Sequence, residues 1–418
     1  MSTTPSPSPA PPQPAAGRLH VLEVIGNAIV GGMEAWVERF LERMPRDRYR
    51  FTALCPFESP YTDRLRALDV EVVIAPMPDD PPWSTVQMAT ALVAAGSIDL
   101  LHAHLPKAHL LAGIVGRLTG KPVLTTVHGR QVTMLDLEVY RAAGSFLSVV
   151  CRQSYFHALG LGVSAGHLSC ETNGVDTQVF RPRQDRQHRA EGGGLRETLG
   201  LAPAVPLLGF VGRLSPEKGP SVFVRAALLL HSRMPDVHFV MVGEGPSERE
   251  LRELAHRFGL QGCLHFAGVQ RDMPAIYDAL DLVVSTSHTE AMPLALMEAM
   301  ACEVAVVATR VGGVPDLVAH GETGWLVGPG EFDDIAARCA ELIADPGLRH
   351  QMGQRGRQRV IERFDLAECI VRMDQLLMRL ARPRSEGPRR VTGLAALSPS
   401  AGDAQPTAGR RGGAAPAR

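Results

Sequence analysis

"DLVVSTSHTEAMPLALMEAMA", residues 281–301, carries a strand, a loop and a helix in one short run. "DLVVSTS" is apolar and β-branched and reads as a strand. "HTEAM" is the loop at its carboxyl end, Pro293 suits a first helical turn, and "LALMEAMA" continues as a helix that is apolar on most sides and therefore buried. A strand feeding a helix through a short loop is the repeating unit of a parallel sheet. The same run holds two carboxylates, Glu290 in the loop and Glu298 about a turn and a half into the helix. Ionised Glu is costly to bury without a partner, and a solvated helix face would carry more charge than this one does.

Outward from this unit the rhythm repeats. "LHVLEVIG" (19–26) is a strand ending in Gly, followed by a Gly-Gly loop and the helical pattern "MEAWVERFLERM" (33–44). "FTALC", "VEVVIAP", "IDLLHAH" and "PVLTTVHG" are further strands, with helical patterns such as "AHLLAGIVGRL" between them. A second series opens at "VPLLGFVGRL" (205–214) and runs through "VHFVMVGEG", "LHFAG", "DLVVSTS" and "VAVVATRVGG". Near-continuous apolar strands alternating with helices imply parallel sheets covered on both faces. Two such series imply two Rossmann-like, doubly wound α/β domains. The polar, Gly-rich "RPRQDRQHRAEGGG" (181–194) marks the join. The last helical pattern, "FDLAECIVRMDQLLMRL" (364–380), suits either domain. Open α/β sheets bind ligands at the carboxyl ends of their strands, so a substrate between the two domains is the expected arrangement.

Composition agrees with a globular chain. Of 418 residues, 45% are apolar and 21% charged, with a formal net charge of −1. No global charge draws the chain to nucleic acid. Seven Cys are scattered singly, as reduced cytoplasmic thiols would be, with no disulfide or zinc spacing. "MSTTPSPSPAPPQPAAG" lacks the basic and apolar regions of a signal peptide and reads as an unfolded Pro-rich tail. The end, from about Arg384, is Gly, Pro and Ala with six Arg against two acids. It could touch anionic lipid at the inner membrane or remain solvated. No run approaches the roughly 18 apolar residues of a membrane span.

In "FVGRLSPEKG" (210–219) a strand ends at Gly212, the loop carries Arg213 and Lys218, and the helical pattern "PSVFVRAALLL" follows. Two cations beside the N–H groups of a helix start make an anion site. A diphosphate suits it, because Arg grips two oxygens while Lys acts as a point charge; a solvated turn with Lys218 paired to Glu217 is the alternative. The loop is not an ATPase P-loop. The first strand gives "GNAIVGG", not a dinucleotide fingerprint, and no acid closes a strand about 20 residues later. Backbone N–H groups around Met292, Pro293 and Leu294 would face the same diphosphate as Arg213 and Lys218. A carboxylate accepts bonds from vicinal hydroxyls such as those of ribose, so sugar hydroxyls are the expected partners of Glu290 and Glu298.

"GRLSPEKG" followed by the E-x7-E spacing of Glu290 and Glu298, with "GG" (31–32), "TVHG" (126–129), "NGVD" (173–176) and "GEG" (243–245), resembles the retaining glycosyltransferase family 4 across residues 19–380. The resemblance implies a GT-B fold, two Rossmann-like domains facing a central cleft. An acceptor-side domain would span 18–180, with a crossover helix at 364–381, and a nucleotide-sugar domain 205–363. A linker (181–204) and two disordered tails (1–17 and 384–418) complete the chain. Arg213 and Lys218 would hold the donor diphosphate and Glu298 the ribose. Glu290, with the backbone of Met292, Pro293 and Leu294, would contact the donor sugar, and His128 would reach that sugar from across the cleft. Gly31 and Gly32 would let the first loop approach donor or acceptor.

His102 and His104, at another strand end, line the acceptor side or merely cap the strand. Thr172 stands where the family usually has Pro, Asp316 where Glu is commoner, and 129–172 matches poorly. The implied activity is sugar transfer with retention from a nucleotide-sugar to a glycan, lipid-linked or small-molecule acceptor, as in polysaccharide biosynthesis. No cofactor and no metal are implied, since no D-x-D occurs. An epimerase or hydrolase of the same fold, or a non-catalytic nucleotide-sugar-binding protein, is the alternative.

Overall fold

The structure is a computed structural model that describes residues 17–182 and 194–381. The expectations for residues 1–16, for 183–193 of the linker and for the basic C-terminal tail lie outside the described residues.

The first sheet contains β1 (Leu19–Ile25), β2 (Tyr49–Cys55), β3 (Glu71–Ile74), β4 (Leu100–His104), β5 (Val123–Val127), β6 (Phe146–Val149) and β7 (Leu168–Cys170). Their order is β3-β2-β1-β4-β5-β6-β7, and every pairing is parallel. The second sheet contains β8 (Leu207–Val211), β9 (His238–Val242), β10 (Leu264–Gly268), β11 (Leu282–Ser285), β12 (Ala305–Thr309) and β13 (Trp325–Val327). Its order is β10-β9-β8-β11-β12-β13, again parallel throughout. Central strands such as β4, β5 and β12 are buried at every residue, because helices cover both faces. Strand order reverses between β1 and β4 and again between β8 and β11, and these switch points are where such sheets open a crevice.

Three strands lack an obvious sequence signal. β6, β7 and β13 have only three or four residues each and lie at or next to a sheet edge. The terminal helical pattern is one helix, Leu366–Ala381, set off at Asp365 from the preceding helix Pro346–Phe364. The break is where Val175 pairs with the chain, donating to the Phe364 carbonyl and accepting from the Leu366 N–H, both at 2.9 Å. Beyond it, Leu366, Ile370, Met373 and Leu377 enter the same core as Val21, Trp36 and Phe40 of the first half. Tyr49 donates to Asp374 Oδ1 at 2.5 Å, which ties that helix to β2.

Part of the expected linker is ordered structure. Leu195–Thr198 is a short helix, and Arg196 is held by Asp281 (2.7 Å) and by the carbonyls of Ala279 (2.8 Å) and Val205 (2.6 Å). Leu195, Leu199 and Leu201 pack on the second core. A polar composition hid three apolar anchors and one well-bonded Arg. All seven Cys are free. Among the described residues no helix is long and apolar enough to cross a membrane.

Candidate functional site at the two switch points

The loop after β8 is built from backbone packed against backbone. Gly212 N–H donates to the Val242 carbonyl (3.0 Å) and Leu214 N–H to that of Glu244 (2.9 Å). A Cβ on Gly243 would lie 2.1 Å from the Gly212 carbonyl oxygen, and one on Gly245 2.3 Å from that of Leu214. Only glycine permits this contact, which holds Arg213 at the rim. Arg213 is exposed, and its guanidinium makes no hydrogen bond or salt bridge with the other described residues. After one 3-10 turn (Pro216–Lys218) the chain enters the helix Pro220–Arg233 through Gly219, in the left-handed region at φ 60°.

Lys218 reaches across to the loop after β11. Its Nζ lies 2.7 Å from Glu290 Oε1, which also accepts from Ser287 Oγ at 2.7 Å. The expected alternative, Lys218 with Glu217, is not formed: Glu217 takes the Ser215 hydroxyl at 2.5 Å. Gly312 and Gly313 pin the Glu290 loop from the other side. A Cβ on Gly312 would stand 1.5 Å from the Glu290 carbonyl oxygen, and one on Gly313 2.0 Å from that of Ala291 and 2.7 Å from Cys151 Cβ. Pro293 precedes the helix Leu294–Ala301, whose start has no side-chain cap. Its first N–H groups therefore remain open to an anion. The Met292 carbonyl accepts from Asn173 Nδ2 at 3.2 Å. Pro293 itself has no N–H to offer, so any donation must come from Met292 or from Leu294 and its successors.

Glu298 corrects one expectation. Its carboxylate is not left for sugar hydroxyls alone to satisfy: Arg39 Nη2 donates to Oε1 at 3.0 Å and Tyr277 OH to Oε2 at 3.0 Å. Burial still pushes the Glu298 carboxyl above its usual range, with Arg39 opposing the shift. Arg39 lies on the helix Gly32–Arg43 of the first half, so the pair joins the two halves. Asp316 makes a second such link. Its Oδ2 accepts the Arg152 N–H at 2.8 Å, at the start of the helix Arg152–Gly160. Thr172, the other departure from the family pattern, accepts from Arg372 at 3.3 Å.

His128 follows β5 and is half-buried. Its Nε2 lies 2.9 Å from His104 Nδ1, and its ring stands edge-on to Trp36 with centroids 5.5 Å apart. The following carbonyls, Gly129 and Arg130, accept from Ser154 Oγ at 3.1 and 2.8 Å. Ser154 Oγ is 3.1 Å from Cys151 Sγ, and Cys151 abuts Gly313. A continuous run of contacts thus connects the His128 loop to the Glu290 loop.

His102 and His104 do not line an open surface. Both are fully buried, on either side of an equally buried Glu23. Gly31 is the residue before the helix Gly32–Arg43, and neither Gly31 nor Gly32 has a positive φ. Around Gly32 a Cβ would meet nothing, whereas on Gly31 it would lie 2.9 Å from Glu34 Oε2. Glu23, Arg39 and Tyr277 escaped the sequence reading. For Glu23 the signal was present: it is an acid inside the apolar "LHVLEVI", as Glu290 and Glu298 are in their stretch.

Two doubly wound domains whose switch-point loops meet in this way form a GT-B fold. The profile described as Glycosyl transferases group 1 matches residues 195–359, and that described as Glycosyltransferase Family 4 matches residues 30–179. A GDP-mannose-dependent alpha-(1-6)-phosphatidylinositol monomannoside mannosyltransferase of Mycobacterium tuberculosis is 30% identical over 378 residues, covering 84% of this chain and 94% of that one. An N-acetyl-alpha-D-glucosaminyl L-malate synthase of Bacillus anthracis is 25% identical, covering 70% and 77%. Among solved structures, Anabaena Alr3699/HepE in complex with UDP superposes with a TM-score of 0.76 at 22% identity, over 86% of this chain and 100% of that one. The chain belongs to glycosyltransferase family 4, and it is a glycosyltransferase.

Proposed function

We propose that this glycosyltransferase moves a sugar from a nucleotide-sugar donor to a hydroxyl of a glycan, lipid-linked or small-molecule acceptor, with retention at the anomeric carbon and without a metal. The observation that carries this is the Lys218–Glu290 contact of 2.7 Å. It joins the loops of β8 and β11 at the switch point and sets a cation, a carboxylate and an uncapped helix start side by side. Arg213 and Lys218 bind the donor diphosphate, helped by the N–H groups from Met292 to Leu294 and beyond, past Pro293. Glu298 binds the ribose. Each carboxylate oxygen accepts more than one hydrogen bond, so Arg39 and Tyr277 orient it without exhausting it.

Glu290 and His128 position the donor sugar from opposite sides, while Gly31 and Gly32 keep the β1 loop low beside donor or acceptor. As the glycosidic bond breaks, negative charge grows on the leaving diphosphate, and fixed positive groups stabilise it. The leaving phosphate takes the acceptor proton on the same face. The name of the mycobacterial relative supports a lipid-linked glycan among the acceptor classes, and that of the Bacillus relative a small hydroxy acid. With a lipid-linked acceptor, the enzyme works peripherally at the inner membrane face.

A thermal-shift panel of nucleotide-sugars tests the donor site. A ligand at about 100 times its Kd stabilises the folded chain by about 2.7 kcal/mol. No shift with any nucleotide-sugar or nucleoside diphosphate would remove the proposal.

A further inference from the structure

Behind His128 lies a buried chain of polar groups that the transfer reaction does not itself require. Glu23 on β1 and His102 and His104 on β4 are all fully buried. His102 Nδ1 is 3.1 Å from Glu23 Oε1, and His104 Nε2 is 2.8 Å from Glu23 Oε2. His102 Nε2 meets Thr126 Oγ1 at 2.8 Å. His104 Nδ1 meets His128 Nε2 at 2.9 Å. The line runs from the centre of the first sheet to the end of β5.

Hydrogen-bond chemistry fixes the direction of this line. An ionised carboxylate only accepts. Burial would raise the Glu23 carboxyl, but the neighbouring His102 and His104 outweigh it and hold it at about 2. Glu23 is therefore anionic, and His104 donates through Nε2–H. Burial, with His102 alongside, holds His104 down at about 4, so it is neutral and its Nδ1 bears no proton. A bare Nδ1 is an acceptor, so the bond of 2.9 Å must be donated by His128 Nε2–H. Burial and the neighbouring histidines also push His128 well below its ordinary value. A neutral imidazole with its proton on Nε2 has a bare Nδ1.

We propose that Glu23, acting through His104, is a positioning residue that fixes His128 in the Nε2–H tautomer, so that Nδ1 is left to accept a hydrogen bond from a hydroxyl of the donor sugar. This rests on His128 contacting that sugar, as proposed above. Without the carboxylate the tautomer would be free, and half of the ring orientations and tautomers would turn a donor towards the sugar hydroxyl instead. The same orienting logic, an acid behind a histidine that faces substrate, governs the tautomer in hydrolase triads. Glu23, His102 and His104 also lie close enough together to surround a metal ion, their ligand atoms being within 4.8 Å of one another. The two readings differ in one proton: a metal on His104 Nε2 would force the proton to Nδ1 and reverse the bond to His128.

The test is nitrogen-15 spectroscopy of ring-labelled histidines in the full chain at neutral pH without ligand, with His128 assigned by the loss of its signals in His128→Gln. Both His104 and His128 should carry their proton on Nε2. A proton on Nδ1 of either, an imidazolium at His128, or a stoichiometric metal in elemental analysis would overturn the proposal, and this needs no variant to fold. In Glu23→Leu no acceptor faces His104 Nε2, so the tautomer is released and Nδ1–H forms of His104 and His128 should appear. The kcat for transfer should fall by about tenfold or more, with affinity for the free nucleoside diphosphate unchanged. An unaltered His128 tautomer in that variant would also overturn it. Failure of the underlying assignment shows differently: His128→Gln with full transfer activity would remove the sugar contact, and with it the functional half of the proposal, whatever the tautomer.

Discussion

Arg39, on the first helix of the first half, places Nη2 3.0 Å from Glu298 Oε1, deep in the second half. The Glu298 side chain is 8% exposed and that of Arg39 27%. The pair is thus too dry to be a surface ion pair, and removing the cation leaves a buried carboxylate held by Tyr277 alone.

Arg39→Ala should destabilise the chain by about 1–3 kcal/mol, the cost of leaving a buried group short of a partner. Burial already places the folded-state Glu298 carboxyl above its unfolded value. The folded state therefore binds the proton more tightly, and stability falls as pH rises from the unfolded value through the raised folded one. Losing Arg39 raises the folded value further and extends that fall to higher pH. Urea midpoints across the acid-to-neutral range check both effects. A midpoint unchanged at neutral pH would show the pair to be idle.

Gly312→Ala should be far worse than its size suggests. The residue sits at φ 54°, and its added Cβ would fall 1.5 Å from the Glu290 carbonyl oxygen. Left-handed strain plus overpacking predicts a loss of about 2–5 kcal/mol. Gly200 has a similar φ of 66° and nothing within 4 Å, so Gly200→Ala isolates the backbone part, about 1–2 kcal/mol. Equal losses in the two variants would mean that the Glu290 loop yields freely.

How much of this was legible follows from which interactions are local. The strand–loop–helix run at 281–301 announced its own fold, because alternating apolar periods and a helix-start Pro are contained in neighbouring residues. Glu290 and Glu298 stood out as acids among apolar residues. Their partners did not, since Arg39 is 259 positions from Glu298 and Lys218 is 72 from Glu290. No spacing rule reaches that far. Tyr277 and Arg196 read as ordinary residues until the fold turns them towards a carboxylate. β13 was missed for the opposite reason: "WLV" is too short for any period to show.

Arg213→Ala and Lys218→Ala should each weaken a nucleoside diphosphate more than a nucleoside, by about 1.5–3 kcal/mol for a bond to a charged group. Lys218 also balances Glu290, so its loss would leave an unpaired carboxylate at the proposed diphosphate site and should cost more than that of the exposed Arg213. If both cations grip one diphosphate, the double variant departs from additivity. Calorimetry with both ligands decides: equal losses for nucleoside and diphosphate would mean that the loop binds no phosphate.

Glu290→Ala should lower kcat more than it raises the donor KM if Glu290 has the proposed role, because a contact that tightens as the sugar reacts is lost mainly from the transition state. The nearby Ser287 hydroxyl and Lys218 remain, so the loop keeps its polar floor. A rise in KM with kcat intact would assign Glu290 to ground-state binding only.

The stereochemical course is the remaining test. In the proposed mechanism neither Glu290 nor His128 acts as a nucleophile. Glu290 shares Oε1 with Lys218 Nζ and Ser287 Oγ, and the His128 ring is tied at Nε2 to His104. These contacts suit the positioning roles proposed for both. A same-face transfer, in which the departing diphosphate oxygen receives the acceptor proton, keeps the anomeric configuration without a protein nucleophile. It needs the developing charge to be met by fixed positive groups, which on the proposed reading are Arg213, Lys218 and the open start of the helix Leu294–Ala301. A metal would ordinarily bridge a carboxylate and the diphosphate, yet at this switch point the carboxylate of Glu290 already has Lys218 as its counter-ion. Product formed in excess EDTA should therefore carry the donor's anomeric configuration, read directly from the anomeric proton and carbon signals. An inverted product would rule out the same-face course. Activity lost in EDTA and restored by Mn²⁺ would assign the leaving-group charge to a metal and not to Arg213 and Lys218.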